Sequence, residues 1–425
     1  MGIKRLSSNI VFVVGCILYL VCSCQSCKGR EVQPFFSCSK RIHNCYGLCS
    51  HVTNRGRNDF QLRNEEFSIM NNLGVGIVRT DIYWWKFPKD YSASHPDYDS
   101  VFISARNHSI RTLGILESRK SISQNAWDDL GEYGRYVDYL LTNYGKDIEY
   151  WEVINEIDRI KTISQDSLAA VYPQILQLCY KKIKQYNKHH QVVLGSITNP
   201  QCALLDDLCK EGCAKYCDAF NVHIYDAPEN YFKKFERLKH VFDKYHIRPK
   251  LWLTECGIHT AFDKKNKYVF SEDEQARRIP RIHLIAFSLG IDKVFVYNLK
   301  STERDKFNPE EHFGILHPDL SSKPAYHTYR QLIKMLPEGS TRPLIRIEDN
   351  IYICEWGRPD KIRVYAIWKT GREKQVALSI SGRYTIEDQY GRKLPIATTI
   401  NVSNEVKYII GANNVIINYM LLIGN

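Results

Sequence analysis

The sequence predicts an α/β protein, a (β/α)8 TIM barrel with a C-terminal antiparallel β-sandwich. Two observations support this class. Between about residues 42 and 338, short apolar runs alternate with longer amphipathic segments, as in a closed parallel barrel covered by helices. Beyond residue 338 the helical period disappears, and strand-like runs are separated by turn residues such as Thr370-Gly371. This second pattern is typical of an antiparallel sandwich.

The predicted barrel strands are short and rich in β-branched and aromatic residues, as parallel strands buried on both faces usually are. They span residues 45–51, 76–81, 110–116, 148–154, 191–196, 219–225, 250–255 and 293–298. The predicted helices span residues 65–73, 98–107, 126–144, 165–188, 230–245 and 272–289, a cysteine-rich helix precedes the sixth strand, and a last helix follows Pro324. Gly74 stands where the first helix should end.

The chain divides into four predicted parts. Residues 1–27 form a signal, residues 28–41 a linker, residues 42–338 the barrel and residues 339–425 the sandwich. Sandwich strands are predicted at 351–356, 362–368, 375–380, 384–388 and 415–419. We expect this last part to pack on the barrel; a separate carbohydrate-binding role is the alternative.

The N-terminus resembles an export signal. Lys4 and Arg5 precede an apolar run from Asn9 to Cys22, which is shorter than the about 20 residues that a membrane-spanning helix needs. Residues 1–27 are therefore expected to be a signal peptide or a lipoprotein signal. In the second case lipid on Cys24 would tether the protein to a membrane. The expected location is secreted, or cell-surface or periplasmic.

The chain contains 14 cysteines, and an oxidising compartment would permit disulfides. Two clusters are prominent: Cys38, Cys45 and Cys49, and then Cys202, Cys209, Cys213 and Cys217. We expect disulfides here rather than zinc, because the second cluster has no CxxC pair. Cys179, Cys256 and Cys354 are expected to be buried thiols.

Two predicted strands end in a glutamate. Residues 148–154 lead to Asn155-Glu156, and residues 250–254 lead to Glu255. Three strand–helix units of roughly 30 residues or more fit between them, so they belong to the fourth and seventh strands. Because a TIM barrel carries its reactive groups at the carboxyl ends of its strands, the two carboxyl groups should face one cleft. Such a pair can cleave a glycosidic bond; salt bridges at the barrel rim are the alternative.

Other candidate site residues also fall at or just beyond predicted strand ends. They are His51, Arg79, Asp81, Trp84, Trp85, Glu117, His223, Tyr225 and Tyr297. Trp84 or Trp85 could stack on a sugar, although loop packing would explain them equally. Glu152 is expected to belong to a polar layer inside the barrel.

Several of these segments resemble the retaining glycoside hydrolases of clan A. The resemblance rests on WEVINE at 151–156, NVHIY at 221–225, WLTECG at 252–257, FGIL at 313–316 and KPAY at 323–326. It covers roughly residues 42–336 and does not assign a family within the clan. It implies that Glu156 is the general acid/base and that Glu255 is the nucleophile.

The resemblance also implies roles for neighbouring residues. Arg79 and Tyr225 match clan positions that hydrogen-bond the nucleophile, and Asn155 would bind the sugar 2-hydroxyl. His223 is expected to face the cleft. The clan usually offers a tryptophan as a sugar platform at strand eight, whereas this chain has Tyr297-Asn298, so the floor of that subsite should differ.

The expected function is therefore a retaining glycosidase that cleaves a β-linked oligo- or polysaccharide without a cofactor. A transglycosidase on the same site and a non-catalytic barrel that binds surface glycans are the alternatives. The net charge of +11 is spread over the chain, so we expect a carbohydrate partner and no nucleic acid. The strand ends offer no evident cluster of His and Asp ligands, so no metal is expected. We expect a monomer.

Overall fold

The structure is a computed structural model that describes residues 30–54, 60–87, 90–91, 94–121, 123–397, 399–412 and 416–421. The predicted signal, with Cys24, lies outside these residues. Among the described residues, no helix combines the length and the apolar character that crossing a bilayer requires.

Eight parallel strands close into a barrel, as predicted. The first strand of the chain, β1 (Arg30–Val32), belongs to another sheet. The barrel strands are β2 (Tyr46–Cys49), β3 (Ile77–Ile82), β4 (Arg111–Leu116), β7 (Tyr150–Val153), β8 (Gln191–Leu194), β9 (Ala219–Ile224), β10 (Lys250–Cys256) and β11 (Lys293–Val296). The short pair β5 (Arg119–Ser121) and β6 (Gln124–Asn125) follows β4. The barrel closes because β11 pairs with β2.

Helices cover the outside of the barrel. They are α1 (Phe60–Leu73), α2 (Pro96–Asn107), α3 (Leu130–Tyr144), α4 (Gln165–Tyr186), α5 (Ala203–Lys210), α6 (Tyr231–Lys244), α7 (Glu272–Ser288) and α8 (Pro324–Met335). Their ends carry the expected signals. Ser271 caps α7 by accepting a hydrogen bond from the backbone N–H of Glu274, and Gly74 follows α1 at a φ of 92°, a left-handed conformation that favours glycine.

One cluster of buried side chains fills the barrel interior, with a member from each strand. Its members are Cys49, Ile77, Leu113, Tyr150, Val193, Ala219, Trp252 and Phe295. Such inward-facing layers make the barrel a packed core rather than a pore. The cleft must therefore lie above this layer, at an end of the barrel.

Antiparallel strands follow the barrel. They are β12 (Leu344–Glu348), β13 (Ile351–Gly357), β14 (Ile362–Lys369), β15 (Lys374–Ser381), β16 (Tyr384–Glu387), β17 (Lys393–Leu394), β18 (Thr399–Val402), β19 (Lys407–Ala412) and β20 (Ile416–Leu421). They form a seven-stranded sheet, in the order β1-β12-β13-β14-β19-β16-β17, and a three-stranded sheet, in the order β18-β15-β20. Ile353 and Tyr365 from the first sheet share a hydrophobic cluster with Val376 and Ile400 from the second. The sandwich arrangement itself stays a prediction.

Two expectations need correction. Part of the predicted linker is structured, because β1 pairs antiparallel with β12 and so adds an edge strand to the seven-stranded sheet. The ten cysteines among the described residues are all free, so the disulfides predicted for the two clusters are not present there. Cys49, for example, lies inside the barrel, where its thiol donates to the carbonyl of Thr254 at 3.1 Å. Barrel packing therefore explains its burial.

Candidate active site

A cavity of about 360 Å³ opens at the carboxyl ends of the barrel strands. The sequence-predicted residues His51, Arg79, Asn155, Glu156, Tyr225, Glu255 and Tyr297 all line it. They come from different strands, and the parallel barrel brings them to one end, as expected for this architecture. His223 contacts the same carboxyl groups from β9.

The backbone after β7 is bent sharply where it presents Glu156. Ile154 and Glu156 have φ values of 69° and 42°, a left-handed region that costs energy for residues other than glycine. The neighbouring β8 end supports this bend, because the N–H of Glu156 donates to the Ser196 hydroxyl at 2.8 Å. Gly195 is required beside it, since a Cβ there would lie 2.5 Å from the carbonyl oxygen of Val153. The carboxyl group is thus directed by backbone, not by side-chain packing alone.

The carboxyl group of Glu255 is held by a donor on each oxygen. Arg79 donates to Oε1 at 2.5 Å, and the hydroxyl of Tyr225 donates to Oε2 at 2.5 Å. Burial of that hydroxyl, and then the charge of Glu255, raise the pKa of Tyr225 well above its usual value, so the hydroxyl remains a donor although the residue as a whole is 41% exposed. The two donors therefore fix the orientation of the Glu255 carboxyl group.

The guanidinium of Arg79 is fully committed to protein groups. It donates to the two oxygens of Glu152 at 2.7 and 2.9 Å, to Glu255, and to the amide oxygen of Asn155 at 2.8 Å. Arg79 and Glu152 are buried, in agreement with the predicted polar layer. Asn155 Oδ1 also accepts from the Ser196 hydroxyl at 3.1 Å. Among the described residues, the hydrogen bonds of this amide are made by its oxygen, so its NH2 group remains available for a ligand.

His223 connects the two carboxyl groups to a buried polar chain. Thr254 donates its hydroxyl proton to the Asn221 amide oxygen at 2.5 Å, and its oxygen lies 3.1 Å from His223 Nε2. This pattern assigns the ring proton to Nε2, because the Thr254 oxygen is then left to accept. Nδ1 faces Glu156 Oε1 at 3.0 Å and Glu255 Oε2 at 3.3 Å. Burial lowers the pKa of His223 to about 4, so the ring is neutral near pH 7.

Glu156 has the environment of a proton donor. Burial raises the pKa of its carboxyl group, and the charge of Arg159 only partly opposes this increase. Its side chain is 28% exposed, compared with 9% for Glu255. A neutral His223 that lacks a proton on Nδ1 can accept a hydrogen bond from the protonated form of Glu156. The two glutamates therefore occupy contrasting environments, one that favours protonation and one rich in donors.

The opposite wall of the cavity is built from a second polar group. His51 lies 3.0 Å from Asp81 Oδ2 and 3.1 Å from the Tyr297 hydroxyl. Tyr297 also donates towards Glu310 at 3.4 Å. Burial would lower the pKa of His51, but the hydrogen bond and charge of Asp81 raise it overall. Burial, followed by the charge of Asp81, raises the pKa of the nearby Glu117 to about 7.

The two predicted aromatic platforms have different outcomes. Trp84 is buried, donates to the Tyr91 hydroxyl at 2.7 Å and stacks on Tyr136 at 5.2 Å between ring centroids. The expectation that Trp84 binds a sugar is therefore wrong, because its ring is part of the core between strand and helix. Trp85 is 55% exposed beside Tyr83 but does not line the cavity, and its sugar contact stays a prediction.

Sequence reasoning missed Glu310 and Phe313 as cavity-lining residues. Both lie in the long loop after β11, where strand periodicity gives no register. It also missed Thr254 and Ser196, which orient site residues through hydrogen bonds. Their position beside a predicted strand end was the only available signal.

The described strand ends hold one group of potential metal ligands, although it consists of two glutamates and a histidine and not of the His and Asp ligands considered from the sequence. One ligand atom each from Glu156, His223 and Glu255 lies within 4.8 Å of the others. The guanidinium of Arg79 is bonded to Glu255, however, and its positive charge opposes a divalent cation at this position. The three groups are better suited to exchange protons than to hold an ion.

A larger cavity of about 570 Å³ lies elsewhere, between α1, α8 and the turn that contains Tyr390 and Gly391. Arg330, Lys334 and His327 are among its lining residues, and the described part of the chain contributes no carboxylate to it. Size alone therefore does not identify the site. The convergence of titratable groups does.

No family model matches the sequence, and no curated protein matches it. Solved structures of glycoside hydrolases share its fold. A family 39 glycoside hydrolase from Bacteroides cellulosilyticus is 18% identical with a TM-score of 0.70, over 88% of this chain and 81% of that one. A family 39 β-xylosidase from Caulobacter crescentus is 14% identical with a TM-score of 0.60, over 90% and 98%. A family 30 endoxylanase from Clostridium papyrosolvens is 10% identical with a TM-score of 0.59, over 89% and 98%.

These similarities confirm the fold to which the sequence resemblance pointed. They extend over most of each chain. At such low identities they establish the architecture alone. The chemistry must be argued from the site.

Proposed function

We propose that the protein is a retaining glycoside hydrolase that cleaves β-glycosidic bonds of an oligo- or polysaccharide by double displacement. The observation that carries this proposal is the pairing of Glu156 and Glu255 across one cavity, with carboxyl oxygens within 4.8 Å of each other. Retention requires carboxyl groups only about 5–5.5 Å apart, whereas inversion needs about 6.5–9.5 Å for an intervening water.

In the first step the Glu255 carboxylate attacks the anomeric carbon and forms a glycosyl ester. Glu156 gives its proton to the glycosidic oxygen, so that the bond to the leaving sugar breaks and a neutral alcohol departs. In the second step the Glu156 carboxylate takes a proton from water. The resulting hydroxide attacks the anomeric carbon, the ester bond breaks and Glu255 is released as a carboxylate.

Neighbouring residues support both steps. The donors Arg79 and Tyr225 hold the Glu255 carboxyl group in one orientation, as attack on the anomeric carbon requires. The NH2 group of Asn155 is free to bind a sugar hydroxyl, a contact that strengthens as the ring flattens in the transition state. The solved glycosidases named above support the assignment of a carbohydrate substrate to this architecture.

The decisive experiment compares Glu255→Ala and Glu156→Ala, assayed with 4-nitrophenyl and 2,4-dinitrophenyl β-glycosides with and without azide. Both variants should lose nearly all turnover of the nitrophenyl glycoside while they remain folded. Azide should restore turnover of Glu255→Ala with an α-glycosyl azide as product. With the dinitrophenyl glycoside, Glu156→Ala should give a β-glycosyl azide, because a good leaving group needs no acid.

Wild-type turnover by either alanine variant would refute the assignment. Transfer of the glycosyl group to an added sugar in preference to water would identify the transglycosidase instead. Glycan binding by the wild-type protein without any turnover would favour the non-catalytic barrel.

We further propose export of the chain and a monomeric state. The apolar run that follows Lys4 and Arg5 supports export, and a solved β-xylosidase of the same fold from Caulobacter crescentus is described as monomeric. Mass spectrometry of the mature N-terminus tests the first point, and a lipid on Cys24 would identify a tether. Light scattering in solution tests the second.

A further inference from the structure

The charges that face the cavity are strongly unequal. Arg79 and His51 are the basic side chains among its described lining residues, whereas Asp81, Glu156, Glu255 and Glu310 supply carboxyl groups. Buried Glu152 adds a further negative charge behind Arg79. A bound sugar therefore meets an excess of acceptors and of negative potential.

Neither basic side chain is free to bind an anion. Four of the five N–H groups of Arg79 have partners on Glu152, Glu255 and Asn155, and its remaining N–H points towards the Cys49 sulfur at 3.9 Å. Arg79 is 3% exposed. Both ring nitrogens of His51 are bonded, to Asp81 and to Tyr297. A carboxylate or sulfate on the sugar would thus be desolvated without a charged donor, which is costly.

The carboxyl groups, in contrast, have acceptor positions to offer. Glu310 is exposed, and the hydrogen bond that it accepts from the Tyr297 hydroxyl is long at 3.4 Å. Asp81 accepts hydrogen bonds from His51 and from the Tyr83 hydroxyl through Oδ2, and no described residue bonds its Oδ1, which therefore remains for a ligand. An ionised carboxylate only accepts hydrogen bonds, and the hydroxyl groups of a neutral sugar are the donors that match it.

Resting on the proposed function, we infer that the sugar bound in this cavity is uncharged, and that glycosides of uronic acids or of sulfated or phosphorylated sugars are excluded by the carboxyl groups of Asp81 and Glu310. Specificity of this kind arises from repulsion as much as from attraction. Glu310 is the accessible member of the pair and is therefore a specificity-determining residue.

The test compares kcat/KM for three glycosides that differ only at carbon 5: 4-nitrophenyl β-xyloside, β-glucoside and β-glucuronide. The glucuronide should be at least about 100-fold poorer than the better of the two neutral glycosides, because one negative charge would lie near two others in a partly desolvated site. Added salt should narrow this ratio. Equal or faster turnover of the glucuronide would overturn the inference and leave the proposed hydrolase intact.

A variant pair assigns the effect to Glu310. Glu310→Gln should reduce the ratio of kcat/KM for the neutral glycoside to kcat/KM for the glucuronide by about 10-fold. Glu338→Gln is the matched control, since Glu338 is exposed beside His43 at the opposite end of the barrel, and it should leave the ratio unchanged. An unchanged ratio in Glu310→Gln would remove Glu310 from the specificity role.

A binding experiment tests the inference about the charge of the sugar independently of the proposed hydrolysis. Calorimetric titration of Glu156→Gln with xylobiose and with an aldobiouronic acid should detect the neutral disaccharide alone. Selective binding of xylobiose with no turnover by the wild-type protein would refute the hydrolase and keep the charge inference. Tighter binding of the uronic acid would refute the charge inference whatever the activity.

Discussion

Both ends of the barrel hold a buried cation, but the two cations have different surroundings. At the carboxyl end, Arg79 donates to two buried glutamates and an amide oxygen. At the amino end, Lys293 donates to the carbonyl of Asn44 at 2.6 Å and lies about 5 Å from the ring centroids of Tyr150 and Trp252. Carboxylates thus surround the buried cation at the carboxyl end, whereas aromatic rings and a backbone carbonyl surround the one at the amino end.

The two ends of the barrel therefore have different roles: the carboxyl end holds the candidate reactive groups, and the amino end closes the barrel. A guanidinium enclosed by carboxylates fixes their orientation through charge-assisted hydrogen bonds. An ammonium group packed on aromatic rings is stabilised by cation–π interactions and closes the barrel. Removing this ammonium group from water still costs free energy. Burial accordingly lowers the pKa of Lys293 to about 8. Substitutions at the two ends should therefore affect different properties.

The largest effect is expected at the carboxyl end. Arg79→Ala should lower kcat/KM by about 1,000-fold, because the donor that orients the nucleophile is lost. The free energy of unfolding should fall by about 3–5 kcal/mol, because Glu152 is left buried and unpaired. Urea denaturation and glycoside kinetics measure both. Arg304→Ala, at a side chain that is 79% exposed, is the control; retention of a tenth of the activity by Arg79→Ala would contradict this account.

A smaller effect is expected from a change in the polar chain behind the site, which consists of Asn221, Thr254 and His223. Thr254→Val removes the acceptor that keeps the His223 proton on Nε2. The ring can then direct an N–H from Nδ1 at Glu156, which stabilises the ionised carboxylate and lowers its pKa. Because Glu156 must be protonated to act, the alkaline limb of the pH profile of kcat/KM should move to lower pH, by about half a unit to one unit.

Several charged groups contribute to that profile. Glu156 faces Arg159, Asp158 and Arg79 as well as His223, and Glu255 lies across the cavity. Thr254→Ser keeps the hydroxyl and should retain the wild-type profile. A profile that moves to higher pH in Thr254→Val, or equally in both variants, would show that the hydroxyl does not set the tautomer.

The smallest effect on catalysis is expected at the amino end. Lys293→Met should leave kcat/KM within about twofold of the wild-type value, because Lys293 contacts none of the described cavity-lining residues. It should raise the free energy of unfolding near pH 7 by about 1–2 kcal/mol. The folded pKa of about 8 lies below the usual value of 10.5. The unfolded chain thus binds more protons between these values, and wild-type stability rises with pH there.

The stability advantage of Lys293→Met should therefore shrink as the pH rises from about 8 to 10.5. Chemical denaturation at pH 7, 9 and 10.5 measures it. A constant difference across this range would mean that Lys293 does not titrate inside the barrel. A large loss of activity would remove the distinction between the two ends.

Much of the fold could be predicted because it depends on local patterns. Every barrel strand and the helices between them fell near their predicted positions, since hydrophobic period and helix-stop residues such as Gly74 act over a few residues. Three-dimensional contacts decided the cysteines and β1, because partner choice between distant segments leaves no local periodicity. The same reason hid Glu310 in a long loop.

Two adjacent tryptophans show what a local sequence pattern does not predict. Trp84 and Trp85 share one sequence environment, yet one ring is buried against Tyr136 and the other is 55% exposed. The direction of each side chain depends on the short 3-10 helix Trp84–Lys86. No pattern in the sequence specified that turn.

The sequence by itself determined the barrel and the two glutamates at the ends of its fourth and seventh strands, because strand length, side-chain period and strand-end chemistry are local properties. Only the tertiary structure decided how these acids differ. Arg79 and Glu255 are 176 positions apart and meet within 2.5 Å, and the strained backbone at Ile154 and Glu156 depends on Gly195 and Ser196 from the next strand. Burial and hydrogen-bond partners fix protonation states, and both exist only when distant segments pack together.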